Sequence, residues 1–195
     1  MRVLIVAASP EAVPELPRNA DYVIGVDGGY HTLIDRGMKP DLLVGDFDSF
    51  TGTVPEEAVR YPSEKDVTDL EIALEAARGK GADVIDVYGA LGGRLDMTLS
   101  NVGLLEAYPE MRLFADGQEV RLVGKGDYRL PRRPDHYLSL VPWKRASVSI
   151  RGVKYPLENH DVVSHEALTI SNEWSAEEAD LLVHSGNVLI MYIKK

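Results

Sequence analysis

A chain of 195 residues, 45% hydrophobic and 27% charged, can form one large domain or two small ones, and it has no apolar run of membrane-spanning length. Its net charge of −10 sits wholly in residues 1–115, which hold 20 acids and 10 bases against 11 of each in 116–195; such a surface repels the phosphate backbone and argues against a nucleic-acid partner. With no cysteine, disulfide and thiolate chemistry are excluded, which fits a cytoplasmic location.

The first apolar run, Val3–Ala7, is short and is followed by Glu11 and Glu15, so it reads as a buried strand and not as a signal peptide. Further buried strands are expected at Tyr22–Val26, Leu42–Val44, Val84–Tyr88 and Arg112–Ala115, each bounded by turn formers. Helical patterns lie between them. Tyr30–Arg36 is short and stops before Gly37. Val67–Arg78 has apolar residues at 67, 70, 73, 74 and 77, and Leu95–Ala107 at 95, 99, 102 and 105, the spacing of one helix face. Alternating strands and helices over 1–115 predict an α/β domain with a mostly parallel sheet and helices on both faces.

The texture changes after residue 115. Asp116-Gly117 signals a hairpin into Glu119–Val123, and alternating runs follow at Tyr137–Val141, Ala146–Ile150, Ala167–Ile170 and Val188–Ile193. Leu130-Pro131-Arg132-Arg133-Pro134 reads as a stiff connector, and Ala176–Leu182 as at most a turn or two of helix. Residues 116–195 are therefore expected to form an antiparallel β-sandwich, too small to be stable without packing on another domain or subunit.

Acidic motifs recur at the expected strand ends and helix starts. Asp46 and Asp48 follow the strand Leu42–Val44; at i and i+2 both carboxylates can face one cation, or they can form a polar turn on their own backbone. Carboxylates without matching His or Cys suit a hard cation such as Mg²⁺, which in turn suggests a phosphate substrate. Asp66 and Asp69 open a helix. Asp66 reads as its cap, and a second acid on the same face exceeds what capping requires. Gly89 to Arg94 forms a glycine loop before another helix, where backbone N–H groups and a forked cation can receive an anion; Asp96 lies two residues beyond. It matches neither the G-x-G-x-x-G nor the P-loop pattern. The five histidines lack zinc-like spacing, and there is no G-x-S-x-G elbow.

Taken in order, Asp27-Gly28-Gly29, Gly45-Asp46-Phe47-Asp48-Ser49, Lys65-Asp66-x-Thr68-Asp69-x-Glu71 and Gly92-Gly93-Arg94-x-Asp96 resemble the thiamine pyrophosphokinase family. Gly152-Val153-Lys154-Tyr155-Pro156-Leu157 and Ser171-Asn172-Glu173 are similar to its C-terminal signatures, so the resemblance spans nearly the whole chain. It implies transfer of pyrophosphate from ATP to thiamine, giving thiamine diphosphate and AMP. It also implies an ATP-binding catalytic domain at 1–115, a thiamine-binding β-sandwich at 116–195, and a homodimer with the thiamine site between subunits. Asp46, Asp48 and Asp69 would hold Mg²⁺. Asp27, Gly28, Gly29, Gly92, Gly93 and Arg94 would cradle the nucleotide. Asp69 and Asp96 would be the catalytic carboxylates, Asp96 orienting or deprotonating the hydroxyl. Tyr155, Ser171 and Asn172 would receive thiamine. Two departures stand out: Met97 occupies a position that is His in many bacterial members, and Thr169 replaces the glycine of a Gly-x-Ser-Asn pattern. Two rival readings remain: a related enzyme acting on another alcohol, such as a hydroxymethyl pterin, and a non-catalytic nucleotide or thiamine-derivative sensor.

Overall fold

The computed structural model describes residues 1–9, 13–45, 58–60 and 66–195. The chain divides into two compact units, Met1–Asp116 and Gly117–Lys195. No helix among the described residues is long and apolar enough to cross a membrane.

The first unit is mixed α/β. Its strands are β1 (Arg2–Val6), β2 (Tyr22–Val26), β3 (Leu42–Gly45), β4 (Val59–Arg60), β5 (Val84–Tyr88) and β6 (Met111–Ala115). They pair in parallel in the order β6-β5-β1-β2-β3-β4. A parallel strand covered on both faces must be apolar throughout, and Val3 to Val6 of β1 are fully buried. The exception is Asp86 in β5, 1% exposed, whose carboxylate accepts Arg2 Nε at 2.8 Å and Arg112 Nε at 2.7 Å. A buried carboxylate persists only when paired and hydrogen-bonded in this way.

Three helices join the strands: α1 (Gly29–Asp35), α2 (Asp69–Gly79) and α3 (Leu95–Ala107). Helix α2 buries Leu70, Ala73, Leu74 and Ala77, while Val67 stays exposed ahead of its first turn. Full burial of a side chain such as Leu74 is worth about 1.5–3 kcal/mol. The helix starts later than its apolar spacing suggests, and its cap is Thr68 instead of Asp66. Thr68 Oγ1 accepts the Glu71 N–H at 3.2 Å while Glu71 Oε2 accepts the Thr68 N–H at 2.7 Å, a reciprocal capping box. In α3 the buried face carries Leu105 and Asn101; Leu95 and Leu99, expected inside, are 70% and 63% exposed.

The second unit is antiparallel: β7 (Gln118–Val123), β8 (Gly126–Pro131), β9 (His136–Arg151), β10 (Leu157–Val163) and β11 (Glu178–Lys194). Strand β11 is its spine. It pairs with β9 on one side; on the other, its first half pairs with β8 and its second half with β7. Register shifts between Val183 and Ser185, and between Gly186 and Val188, mark where the two halves part. Alternate residues such as Val148, Ile150, Leu181, Val183 and Tyr192 form its core.

Several sequence expectations are corrected here. Tyr137–Val141 and Ala146–Ile150 belong to the single strand β9. Pro142 does not interrupt it, because it lies opposite Val188 at the end of a bulge, where a missing N–H is tolerated. Leu130 and Pro131 end β8, with Leu130 fully buried, instead of forming a connector. Residues 178–182 of the expected helical turn begin β11, with Ala179 and Leu181 buried on one face. Ala167–Ile170 is a turn, closed by the Ile170 N–H on the Ala167 carbonyl at 3.2 Å. Leu168 and Ile170 stay exposed while Thr169 alone docks on Leu140.

Candidate active site

The ends of β1, β2 and β5 and the starts of α2 and α3 surround a cavity of about 710 Å³ within the first unit. Carboxyl ends of parallel strands are where loops in such folds converge on ligands. Asp27 and Asp69 line it, with Gly89, Gly92 and Arg94 of the glycine loop. Apolar walls come from Ala7, Ala8, Ala90 and Met97.

Asp27 is held by its backbone. Its φ of +45° is left-handed, a conformation that Asp tolerates better than most side chains and that recurs at functional sites. Its N–H donates to the Val44 carbonyl at 2.9 Å, and its carbonyl accepts the Tyr30 N–H at 3.2 Å, which fixes the turn into α1. The Asp27 carboxylate presses on Gly45, where any side chain would collide with it. Glycine is therefore required at 45 so that the end of β3 can approach this carboxylate. Gly29 is buried at the start of α1; neither it nor Gly28 lines the cavity.

Asp69 is the first residue of α2 and lines the cavity, while capping is done entirely by Thr68 and Glu71. The second acid noted in the sequence is thus not consumed as a cap, and Asp66 is exposed. Asp46, Asp48 and Lys65 lie outside the described residues. Among the described residues no group of three His, Cys, Asp or Glu gathers as a metal site. The donor chemistry nevertheless fits a hard cation: Asp27 and Asp69 share one cavity, and Asp46 follows directly on the Gly45 that Asp27 touches.

The glycine loop adds the opposite charge. Gly92 and Gly93 have φ of +90° and +66°, values that other residues adopt only with strain, so the turn needs both glycines. Thr98 Oγ1 ties the loop to α3 by donating to the Gly92 carbonyl at 3.1 Å. Arg94 is paired with Asp96 through Nε to Oδ1 at 3.1 Å and Nη2 to Oδ2 at 2.6 Å; both side chains are largely exposed. Arg94, together with the Met97 N–H on Oδ1 at 2.9 Å, holds the Asp96 carboxyl below the usual range. Asp96 itself does not line the cavity. Asn101 does, and sequence reading passed over it. The available signal was a polar residue four positions before Leu105, on the same helix face.

In the second unit Tyr155, Ser171 and Asn172 come together. Asn172, 6% exposed, is a clamp: Oδ1 accepts the N–H groups of Tyr155 at 3.1 Å and Glu173 at 3.0 Å, while Nδ2 donates to the Tyr155 carbonyl at 2.9 Å. Ser171 has a left-handed φ of +56°, and its N–H donates to Ser139 Oγ at 2.8 Å. Tyr155 is held at its backbone and left 59% exposed at its ring. Beside it Lys154 Nζ pairs with Glu173 at 2.8 Å, which raises the lysine and lowers the glutamate from their ordinary pKa values.

A first unit with carboxylates facing a glycine loop and an arginine, joined to an antiparallel β unit with an exposed aromatic ring, is the layout of a phosphate-handling α/β protein with an appended β domain. Residues 13–115 match the family model of the thiamin pyrophosphokinase catalytic domain, and 127–188 that of the thiamin pyrophosphokinase vitamin B1 binding domain. Thiamine pyrophosphokinase of Bacillus subtilis is 34% identical over 187 residues, with 87% of each chain covered. A crystal structure of the enzyme from that organism superposes over the full length of both chains with a TM-score of 0.89 and 29% identity. One from Geobacillus thermodenitrificans gives 0.87 and 28%, covering 100% of this chain and 98% of that one. The chain belongs to the thiamin pyrophosphokinase family.

Proposed function

We propose that the chain carries out the reaction for which its family is named, moving pyrophosphate from ATP to the hydroxyethyl oxygen of thiamine. The observation that carries this reading is the first-unit cavity, where Asp27 and Asp69 face Gly92 and Arg94. The alcohol oxygen attacks the β-phosphorus, the bond from that phosphorus to the α–β bridging oxygen breaks, and AMP leaves. The hydroxyl proton passes to a carboxylate. Such transfers depend on positioning and on neutralising phosphate charge. Asp46, Asp48 and Asp69 would hold Mg²⁺, which would supply charge neutralisation to an otherwise acidic pocket. Asp27 and Gly92, which line the cavity, would form the nucleotide cradle, with Gly28, Gly29 and Gly93 shaping the turns next to them in the chain.

Arg94 commits Nε and one Nη2 proton to Asp96 and keeps Nη1 and the second Nη2 proton for a phosphate, so it can serve both groups at once. A phosphate bound at Arg94 would compete with Asp96 for the guanidinium and weaken the main cause that holds the Asp96 carboxyl low. Asp69 completes the pair of catalytic carboxylates. Thiamine is taken up by the second unit at Tyr155, Ser171 and Asn172. The reading also includes helices on both faces of the first sheet, closure of the second unit as a two-layer sandwich, a cytoplasmic homodimer, and the division at residue 115 as one between catalysis and thiamine binding.

Incubation of the purified chain with ATP, Mg²⁺ and thiamine should yield AMP and thiamine diphosphate in equal amounts, and EDTA should abolish turnover. Asp48→Asn should cut turnover by orders of magnitude. Formation of ADP with thiamine monophosphate would overturn the assignment; a hydroxymethyl pterin as the better acceptor would transfer it to the rival enzyme.

A further inference from the structure

Asn101 lies on the inner face of α3 and is 7% exposed. Its Nδ2 donates to the Ala90 carbonyl at 2.7 Å. A carbonyl oxygen can only accept, so this contact settles which end of the amide is nitrogen and which is oxygen. Oδ1 is therefore turned the other way. It is buried and has no hydrogen-bond partner. Among the described residues, Asn101 is the cavity-lining residue that has a buried, unpartnered side-chain atom. Buried acceptors are almost always satisfied, and an exception calls for an explanation.

We infer that Asn101 Oδ1 accepts a hydrogen bond from the exocyclic amine of a flat nitrogen heterocycle on the bound substrate. The inference rests on the reaction proposed above and specifies a contact within that site. Phosphate is ruled out as the partner, because its oxygens are acceptors and would be repelled. Arg94 and the glycine loop serve phosphate instead. Beside Asn101 the wall is apolar, formed by Ala90 and Met97, which suits the face of an aromatic ring carrying one N–H donor at its edge. Met97 is 39% exposed and supplies an apolar surface. Both substrates present the required chemistry: adenine carries an exocyclic amine, and so does the pyrimidine ring of thiamine. An acceptor fixed by its own backbone contact discriminates strongly against a ligand that lacks the donor.

The test pairs residue removal with removal of the ligand amine. Binding to the full chain with Mg²⁺ is measured by calorimetry for ATP and its desamino purine counterpart, and for thiamine and its desamino counterpart. The unaltered protein should prefer the amine-bearing member of one pair by about ten- to hundredfold. Asn101→Leu should bring that preference to about one. The pair that responds identifies the ring: the ATP pair places adenine at Asn101, the thiamine pair places the pyrimidine. A purely structural role, through Nδ2 and Ala90, would weaken both members equally and leave each preference unchanged, which would overturn the inference. Should Asn101→Leu not fold, the ligand arm decides alone: the unaltered protein must prefer the amine-bearing member of one pair, and equal affinity within both pairs would overturn the inference. Failure of the unaltered protein to form AMP from ATP and thiamine would sink the assigned reaction. Unchanged preferences in a protein that does form AMP would sink the role of Asn101 alone.

Discussion

Asn172 offers a direct test of how the second unit holds its exposed aromatic. Replacing it by alanine removes three hydrogen bonds at once: two accepted from the Tyr155 and Glu173 N–H groups and one donated to the Tyr155 carbonyl. Each is worth about 0.5–1.5 kcal/mol net, so the loss should fall between about 1.5 and 4.5 kcal/mol, toward the upper end because the side chain is only 6% exposed. Both tryptophans, Trp143 and Trp174, lie in the second unit, so urea unfolding followed by intrinsic fluorescence reports on that unit alone. With an m-value of about 1.5 kcal/mol per M, a loss near 3 kcal/mol lowers the midpoint by about 2 M. Asn172→Asp keeps both accepted bonds and loses the donated one, so its midpoint should lie between the other two. Thiamine KM should rise in the same order while ATP affinity stays constant, because the clamp touches only the second unit. A shift below about 0.3 M for Asn172→Ala would refute the clamp, since three buried groups would then be equally well satisfied without it.

Two further outcomes follow from groups that the first unit buries. Asp86→Ala should destabilise the protein by about 3–5 kcal/mol in thermal or urea unfolding, because it leaves Arg2 and Arg112 without their shared carboxylate; a loss under 1 kcal/mol would show that the arginines re-solvate freely. Tyr108 donates to Glu75 at 2.6 Å, and burial, with that carboxylate second, pushes its hydroxyl from 10 up to about 12. The folded chain keeps this proton after the unfolded chain has lost it, so its stabilisation is complete below pH 10 and lost as pH rises towards 12. Tyr108→Phe should remove that alkaline slope from the unfolding free energy, and an unchanged slope would assign it to another group.

What the sequence made legible depended on whether one pattern had one structural meaning. The inner face of α2 was visible because Leu70, Ala73, Leu74 and Ala77 recur at helical spacing and all four go inside. The same logic misplaced Leu95 and Leu99: they share the helical period, but their end of α3 follows the glycine loop and remains exposed. In the second unit, Pro142 and Gly186 looked like strand ends. A register shift between Gly186, opposite Ala146, and Val188, opposite Pro142, lets β9 and β11 run on past both, and no one-dimensional pattern reveals which strand lies opposite. Ala167–Ile170 had the residues of a strand, yet its bonds to the neighbouring β9 all come from Thr169, through its hydroxyl on the Leu140 carbonyl and its own carbonyl on the Leu140 N–H.

For the candidate site, the sequence could place carboxylates at strand ends but could not say which of them the fold already uses. Asp21 accepts the Arg2 N–H at 2.7 Å, Asp41 accepts the Val23 N–H at 2.8 Å, and Asp86 neutralises two arginines. These three hold the sheet together. Asp27 and Asp69 differ in that other groups do the local structural work: the backbone bond to Val44 fixes the first, and the Thr68–Glu71 box caps the helix of the second. Both carboxylates line the cavity as a result. These acids thus do two jobs: Asp21, Asp41 and Asp86 tie strands together, and Asp27 and Asp69 line the cavity. Charge alone would leave that cavity hostile to a nucleotide. In the proposed reading the same pocket answers with two different groups: Arg94, a cation beside Asp96 with donors left for phosphate, and Asn101, an acceptor for a ring amine.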